Sequence, residues 1–240
     1  MDIRADGRAS EGTLRPLSCE LSTLHNADGS ALWKAGSTHV MAAVHGPLAP
    51  LNISKEEEAA VISVVIKSGR QDKISALEYE WREFLCTVLS ACIERKRYPR
   101  SVVEVVLQIV QADGSVLASL LHAAVAALMD AGIEMLYLPV ATTCLVHGNL
   151  GPETKSSSAI YLDPSQAEEE ESNTSIIVLV NECSQPDMIL GSHAVGRGLP
   201  LDKMLACMEV AAKAGPAIVA FWRLAVEQKS TRESQTLWSK

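Results

Sequence analysis

Between Gly114 and Met129 the chain carries no charged residue, and Ala123-Ala124-Val125-Ala126-Ala127 gives that stretch a face of small side chains. Such a helix can approach a sheet closely, and the pattern predicts one over Val116–Ala131. Asp113-Gly114-Ser115 opens it and Gly132 closes it in a left-handed cap. The run is too short for the roughly 20 apolar residues of a membrane helix. The other long uncharged stretch, Met135–Pro152, is broken by Pro139, Thr142 and Thr143. No membrane span is expected. Val-, Leu- and Ile-rich Ser101–Val110 immediately before the helix predicts a strand.

Around this unit the rest of the chain alternates between strand and helix signals. Asp28-Gly29-Ser30 is read as a turn between strands Leu21–Leu24 and Ser30–Trp33, preceded by a weaker alternation from Leu17. Thr38–Val44 ends at Gly46-Pro47, and Val61–Ile66 is aliphatic enough to be buried on both faces. Leu77, Trp81, Phe84, Leu85, Val88, Leu89 and Cys92 have helical spacing, in a helix read as Leu77–Lys96 with Arg95-Lys96-Arg97 at its C-terminal end. Further strands are expected at Met135–Val140, Thr143–His147, Ser158–Leu162 and Ser175–Val180, with Pro164–Asn173 a polar insert. Gly191–Gly198 is read as a flexible connection, and Leu201–Gln228 as a last helix bent at Gly215-Pro216. Many strands with few helices indicate an α+β fold, a single domain over residues 1–229 and a loose polar tail over 230–240.

Composition narrows the function classes. With 48% hydrophobic residues, 14 Gly and 10 Pro in 240 residues, the chain is neither disordered nor a linker. Six scattered cysteines without CxxC spacing point to a reducing compartment and away from a zinc site or a disulfide scaffold. The N-terminus carries charges where a signal peptide needs an apolar core. A net charge of −8 is a poor footprint for a free-standing nucleic-acid binder. Basic residues nevertheless gather at Lys67–Lys73 and Arg95–Arg100, so a local path for a polyanion remains open.

Several chemical motifs fail on inspection. Gly191-x-x-x-x-Gly196 lacks the Lys-Ser/Thr of a phosphate loop. The histidines show no i, i+4 pair, and there is no GxSxG elbow. Arg95–Arg100 either grips phosphate or merely complements a helix end, and Lys67, Arg70 and Lys73 either touch a ligand or form a solvated turn. Asp163 ends a strand, and Glu168–Glu171 follow. Converging carboxylates of that kind can hold Mg²⁺, the alternative being a solvated acidic loop.

The segment Gln111-Ala112-Asp113-Gly114-Ser115-Val116-Leu117-Ala118, continuing to Ala126-Ala127-Leu128-Met129-Asp130-Ala131-Gly132-Ile133, resembles the strand–turn–helix hallmark of the RNase PH family. Arg4-x-Asp6-Gly7-Arg8, Arg15-Pro16, Asp28-Gly29-Ser30-Ala31-Leu32, Ala35-Gly36-Ser37-Thr38-x-Val40 and Leu162-Asp163-Pro164 with its glutamates agree. The resemblance covers roughly residues 4–225 and is strongest toward ring subunits of the eukaryotic RNA exosome.

It implies the family's α+β fold (ribosomal protein S5 domain 2-like, mixed sheets with packed helices) and pairing with other RNase PH-type exosome subunits in a ring that threads single-stranded RNA. Processing of ribosomal RNA in nucleus, nucleolus and cytoplasm, and a homodimer when isolated, follow as expectations. Active members cleave with inorganic phosphate as co-substrate, using a Gly-Thr-Arg triplet, a helix arginine and two acidic Mg²⁺ ligands. Here the triplet position reads Ser115-Val116-Leu117 and the arginine falls near Leu77. Asp163 and Glu169 match the acidic pair. The resemblance therefore implies a ring-building role with Ser115 as a degenerate phosphate contact. The alternative is a weak Mg²⁺-dependent nuclease on Asp163 and Glu169, phosphorolytic or hydrolytic, even on DNA. The resemblance puts the RNA 3′ end near Lys67, Arg70, Lys73 and Arg82.

Overall fold

Buried and half-buried residues alternate along Thr38–Leu48 as far as Gly46, so every second side chain of this strand enters one core. The computed structural model describes residues 4, 6–8, 11–49, 58–69, 75–147, 159–185 and 187–238. Its first sheet contains β1 (Leu17–Leu21), β2 (Gly29–Ala35), β3 (Thr38–Leu48), β4 (Val61–Ser68) and β5 (Val102–Gln111), in the order β1-β2-β3-β5-β4. β4 and β5 are parallel, joined by α1 (Ala76–Cys92). β4 alternates rather than being buried on both faces as its aliphatic run predicts, because it is an edge strand with α1 packed against it.

The second sheet is antiparallel and ordered β7-β6-β8-β9, from β6 (Pro139–His147), β7 (Ile160–Leu162), β8 (Thr174–Glu182) and β9 (Ile189–Gly196). The two expected strands Met135–Val140 and Thr143–His147 merge into the single β6. Residues 191–196, expected to connect strand and helix flexibly, are most of β9. As a mostly exposed edge strand, β9 carries little of the apolar alternation that marks a strand in sequence.

α2 (Val116–Asp130) lies between the sheets, touching β2, β3 and β6, and every residue from Leu117 to Leu128 is buried. Gly29 makes this possible. A Cβ there would sit 2.3 Å from the Ala131 nitrogen and 2.4 Å from the Ala127 carbonyl oxygen. The helix ends as its glycine predicts: Gly132 has φ +70°, and Ile133 N–H donates to the Leu128 carbonyl at 3.1 Å.

α1 is shorter than expected. Ser75 and Glu78 form a capping box at its start, but the chain leaves the helix at Ile93, which is buried and bridges Met135. Arg95–Arg97 are thus a separate 3₁₀ turn, with Arg97 held by Glu134 at 2.9 Å. The polar insert contains a short helix, α3 (Gln166–Glu169).

α4 (Leu201–Trp238) runs through Pro216 and on past Gln228, so the polar tail is helical as far as Trp238. A Lys229–Glu233 ion pair at 3.7 Å and a Thr231 hydroxyl donating to the Glu227 carbonyl support it there. By length and mean hydropathy alone this helix meets the criterion for crossing a membrane, contrary to the expectation from uncharged runs. Its stripe of Cys207, Ala211, Ala214, Ile218, Trp222 and Ala225 is instead buried against the protein, the first three packing with Cys144 and Val146 of β6.

Candidate functional site

The turn before α2 is pressed against the loop after β7. Gly114 has φ +73°, and a Cβ on it would stand 2.4 Å from the Pro164 carbonyl oxygen. Ser115 and Asp163 both adopt the left-handed conformation, at φ 49° and 50°, which non-glycine residues hold only when their surroundings fix them. The fixing contacts are visible. Ser115 donates its N–H to Glu169 Oε1 at 2.7 Å and its hydroxyl to the Pro164 carbonyl at 3.0 Å. Asp163 N–H donates to the Thr143 carbonyl at 2.9 Å.

The amino-terminal arm clasps the same loop. Arg15 gives Asp163 three hydrogen bonds: backbone N–H and Nε to Oδ2 at 3.0 Å each, and Nη2 to Oδ1 at 2.7 Å. Its guanidinium also reaches the carbonyls of Asp113 and Gly114. Arg4 binds Glu168 through Nε and Nη2, both at 2.8 Å, and Arg8 donates to the Asp163 carbonyl at 2.8 Å. Burial pushes the Asp163 carboxyl up, but Arg15 outweighs it and holds the group below the usual carboxylate range. Glu168 follows the same pattern, with burial opposed and overcome by Arg4. Glu169 differs: burial raises it, and one backbone N–H does not compensate.

Asp163 and Glu169 are thus brought to one place, as expected, but the arrangement does not fit Mg²⁺. The Asp163 oxygens are occupied by Arg15, with Ser115 also lowering its pKa through a hydrogen bond, and Glu169 Oε1 accepts the Ser115 N–H. A hard cation needs several free anionic oxygens, and no group of three acidic, histidine or cysteine side chains stands ready for one among the described residues. Asp163, expected from sequence as a metal ligand, is the group that Arg15 grips here. What sequence missed is the partner, although Arg4, Arg8 and Arg15 all stand in the motifs that carried the resemblance.

Beside this clasp opens a pocket of about 220 Å³. Leu77 and Trp81 of α1 form one wall, and Ser115, Val116 and Leu117 form another. The positions expected to have lost phosphate-binding side chains therefore do converge, and they converge as apolar surface. Ile176, Val178 and Val195 line the sheet side with Thr143 and His193, and Glu169 is also among the lining residues. No lysine or arginine lines it among the described residues. Of the basic residues expected near RNA, Lys67 is exposed at the end of β4. Arg82 stacks over Tyr79 at 4.6 Å and pairs with Glu83 at 2.9 Å. Arg70 and Lys73 lie outside the described residues.

Residues 13–134 match the sequence profile of the 3′ exoribonuclease family, domain 1 (RNase PH). An Arabidopsis thaliana protein named exosome complex exonuclease RRP46 homolog is 32% identical over 244 residues, covering 95% of this chain and 98% of its own. The chain belongs to the RNase PH family. The crystal structure of rice (Oryza sativa) Rrp46 superposes with a TM-score of 0.80 at 33% identity, covering 92% of this chain and 98% of that one. An Archaeoglobus fulgidus exosome subunit, from a structure with RNA bound to the active site, shares the fold at a TM-score of 0.76 and 19% identity, over 91% of this chain and 92% of its own. The α+β architecture of two mixed-order sheets and packed helices is the RNase PH fold.

Proposed function

We propose that this chain is a ring-building subunit of an RNA exosome, pairing with other RNase PH-type subunits and helping to form the path for single-stranded RNA, without phosphorolytic chemistry of its own. The observation that carries this reading is the apolar pocket. Phosphate needs charge-assisted donors, and Val116, Leu117 and Leu77 offer none. The Arabidopsis relative of matching length supports the assembly role, since its name places it in an exosome complex. Nuclease activity on DNA or by hydrolysis loses its support, because the carboxylates that motivated it are engaged by Arg15 and Ser115.

The test is incubation of the purified full chain with 3′-hydroxyl RNA, Mg²⁺ and inorganic phosphate, reading release of nucleoside diphosphates. None above background is expected, while co-expression with RNase PH-type partners yields a stable multi-subunit complex. Phosphate-dependent release by the isolated chain, or failure to enter any such complex, would overturn the proposal.

A further inference from the structure

Sequence leaves Arg95–Arg100 two roles, gripping phosphate or complementing the end of α1. The structure removes the second. α1 ends at Cys92, and Ile93 N–H closes it on the Leu89 carbonyl at 2.9 Å. Arg95, Lys96, Arg97 and Arg100 follow on the separate 3₁₀ turn and its exit, and all of them are exposed. Arg97 is paired with Glu134. Arg95, Lys96 and Arg100 make no side-chain hydrogen bond and no ion pair among the described residues, not even with the neighbouring Glu94. The turn that carries them is fixed from several sides. Tyr98 N–H and Ala60 N–H both donate to the Arg95 carbonyl, at 3.1 and 2.9 Å. The Ser101 hydroxyl donates to the Tyr98 carbonyl at 2.7 Å, and Glu134 N–H donates to the Tyr98 hydroxyl at 3.2 Å. Three like charges held together in this way repel one another and draw an anion.

We propose that Arg95, Lys96 and Arg100 grip the phosphate backbone of single-stranded RNA, at a contact separate from the pocket beside the clasp. β5 lies between the two places. Ser101 precedes its first residue, Asp113 follows its end, and its 10 residues at about 3.3 Å each put them roughly 30 Å apart. Guanidinium forks bind phosphate oxygens in pairs and a lysine adds a point charge, while neither reads a base when held on the backbone. The contact is therefore independent of sequence. An RNA strand carries a phosphate at every nucleotide, which suits a fixed set of neighbouring cations. Choosing that strand over an acidic protein surface rests on the RNA-path reading above.

The experiment measures binding of a fluorescent oligouridylate, over a salt series, to complexes assembled from RNase PH-type partners with the wild-type or a variant chain. Arg95→Gln, Lys96→Gln and Arg100→Gln together should weaken binding about tenfold at about 0.1 M salt. They should also reduce the slope of log K against log salt by about two, since each phosphate contact on a single strand contributes about 0.7. All three side chains are exposed, so the urea midpoint should not move. Arg97→Gln with Glu134→Gln removes a paired cation from the same turn at constant net charge, and should leave affinity and slope unchanged. Poly-glutamate is the competing arm. A triple variant that loses poly-glutamate but keeps RNA assigns the turn to an acidic protein surface and overturns the proposal. So does an unchanged slope, an equal loss in the Arg97 and Glu134 variant, or failure of the triple variant alone to assemble, which makes the turn a subunit contact. If the wild-type chain itself does not assemble, the ring reading has failed, and the same comparison on the isolated full chain decides this one.

Discussion

Asp163 is the residue whose meaning changes most between sequence and structure. A carboxylate at a strand end, followed by glutamates, looks like a metal ligand, but three bonds from Arg15 make it the fastening point of the amino-terminal arm. Breaking a buried ion pair by removing one charge costs about 3–5 kcal/mol, because the other charge is left unpaired. Asp163→Asn should therefore lower stability by roughly that amount in urea unfolding. Glu169→Gln should change it by only about ±0.5 kcal/mol, since the amide oxygen can still accept from Ser115 N–H. A double substitution at these positions is consequently a poor test of catalysis, as loss of fold would mimic loss of chemistry. Equal, small effects of the two single changes would show that the clasp carries little weight.

Among the elements, the strongly patterned ones were legible. α2 was readable because sixteen uncharged positions in a row, 114–129, call for a buried helix, and its Gly132 cap followed from glycine's tolerance of positive φ. β9 was not, because an edge strand needs no apolar alternation. The end of α1 was not, because Ile93 is drawn out by pairing with Met135, a contact that local spacing does not reveal. The pocket wall formed by Leu77 and the Ser115–Leu117 turn was legible from the family resemblance. The meeting of Thr143, Val178 and His193 across the pocket's sheet side was hidden, since strand register is not written in any one strand alone.

One buried member of α2 also sets a pH response. His122 is packed against Trp33 and Trp222 and accepts a hydrogen bond from Ala141 N–H at 3.2 Å. Burial pulls its pKa down from 6.5 to about 4. The folded protein then keeps it neutral while the unfolded chain protonates it, so its contribution is intact above pH 6.5 and is lost as pH falls toward 4. The loss should total roughly 3 kcal/mol. Asp163 and Glu168, held low, add their losses only at still lower pH, whereas Glu169, held high, works in the opposite direction. Subtracting the stability profile of His122→Leu from that of wild type isolates the imidazole. A difference flat from pH 6.5 to 4.5 would refute the assignment.

For the whole molecule, the open edges matter. β9 exposes Ile189 and Val195 along an unpaired side of the second sheet, and natural proteins cover or charge such edges. We expect the isolated chain to scatter light as a species of about twice 25.8 kDa, and to exchange its copy for an RNase PH-type partner on mixing. A monomer at tens of micromolar would contradict this. With a net charge of −8, RNA affinity should come from the assembled ring and fall steeply with salt. Lys67→Glu within that assembly should flatten the salt slope by about one or two ions if Lys67 contacts the backbone, and leave it unchanged if Lys67 only faces solvent.

The position of α2 between two sheets has a further consequence, in the time domain. Because neither sheet can lift away without baring a helix buried from Leu117 to Leu128, no partial opening releases its backbone amides. Their deuterium uptake should be the slowest in the chain and should proceed only through global unfolding. The rate measured at this one helix would then report the stability of the entire molecule.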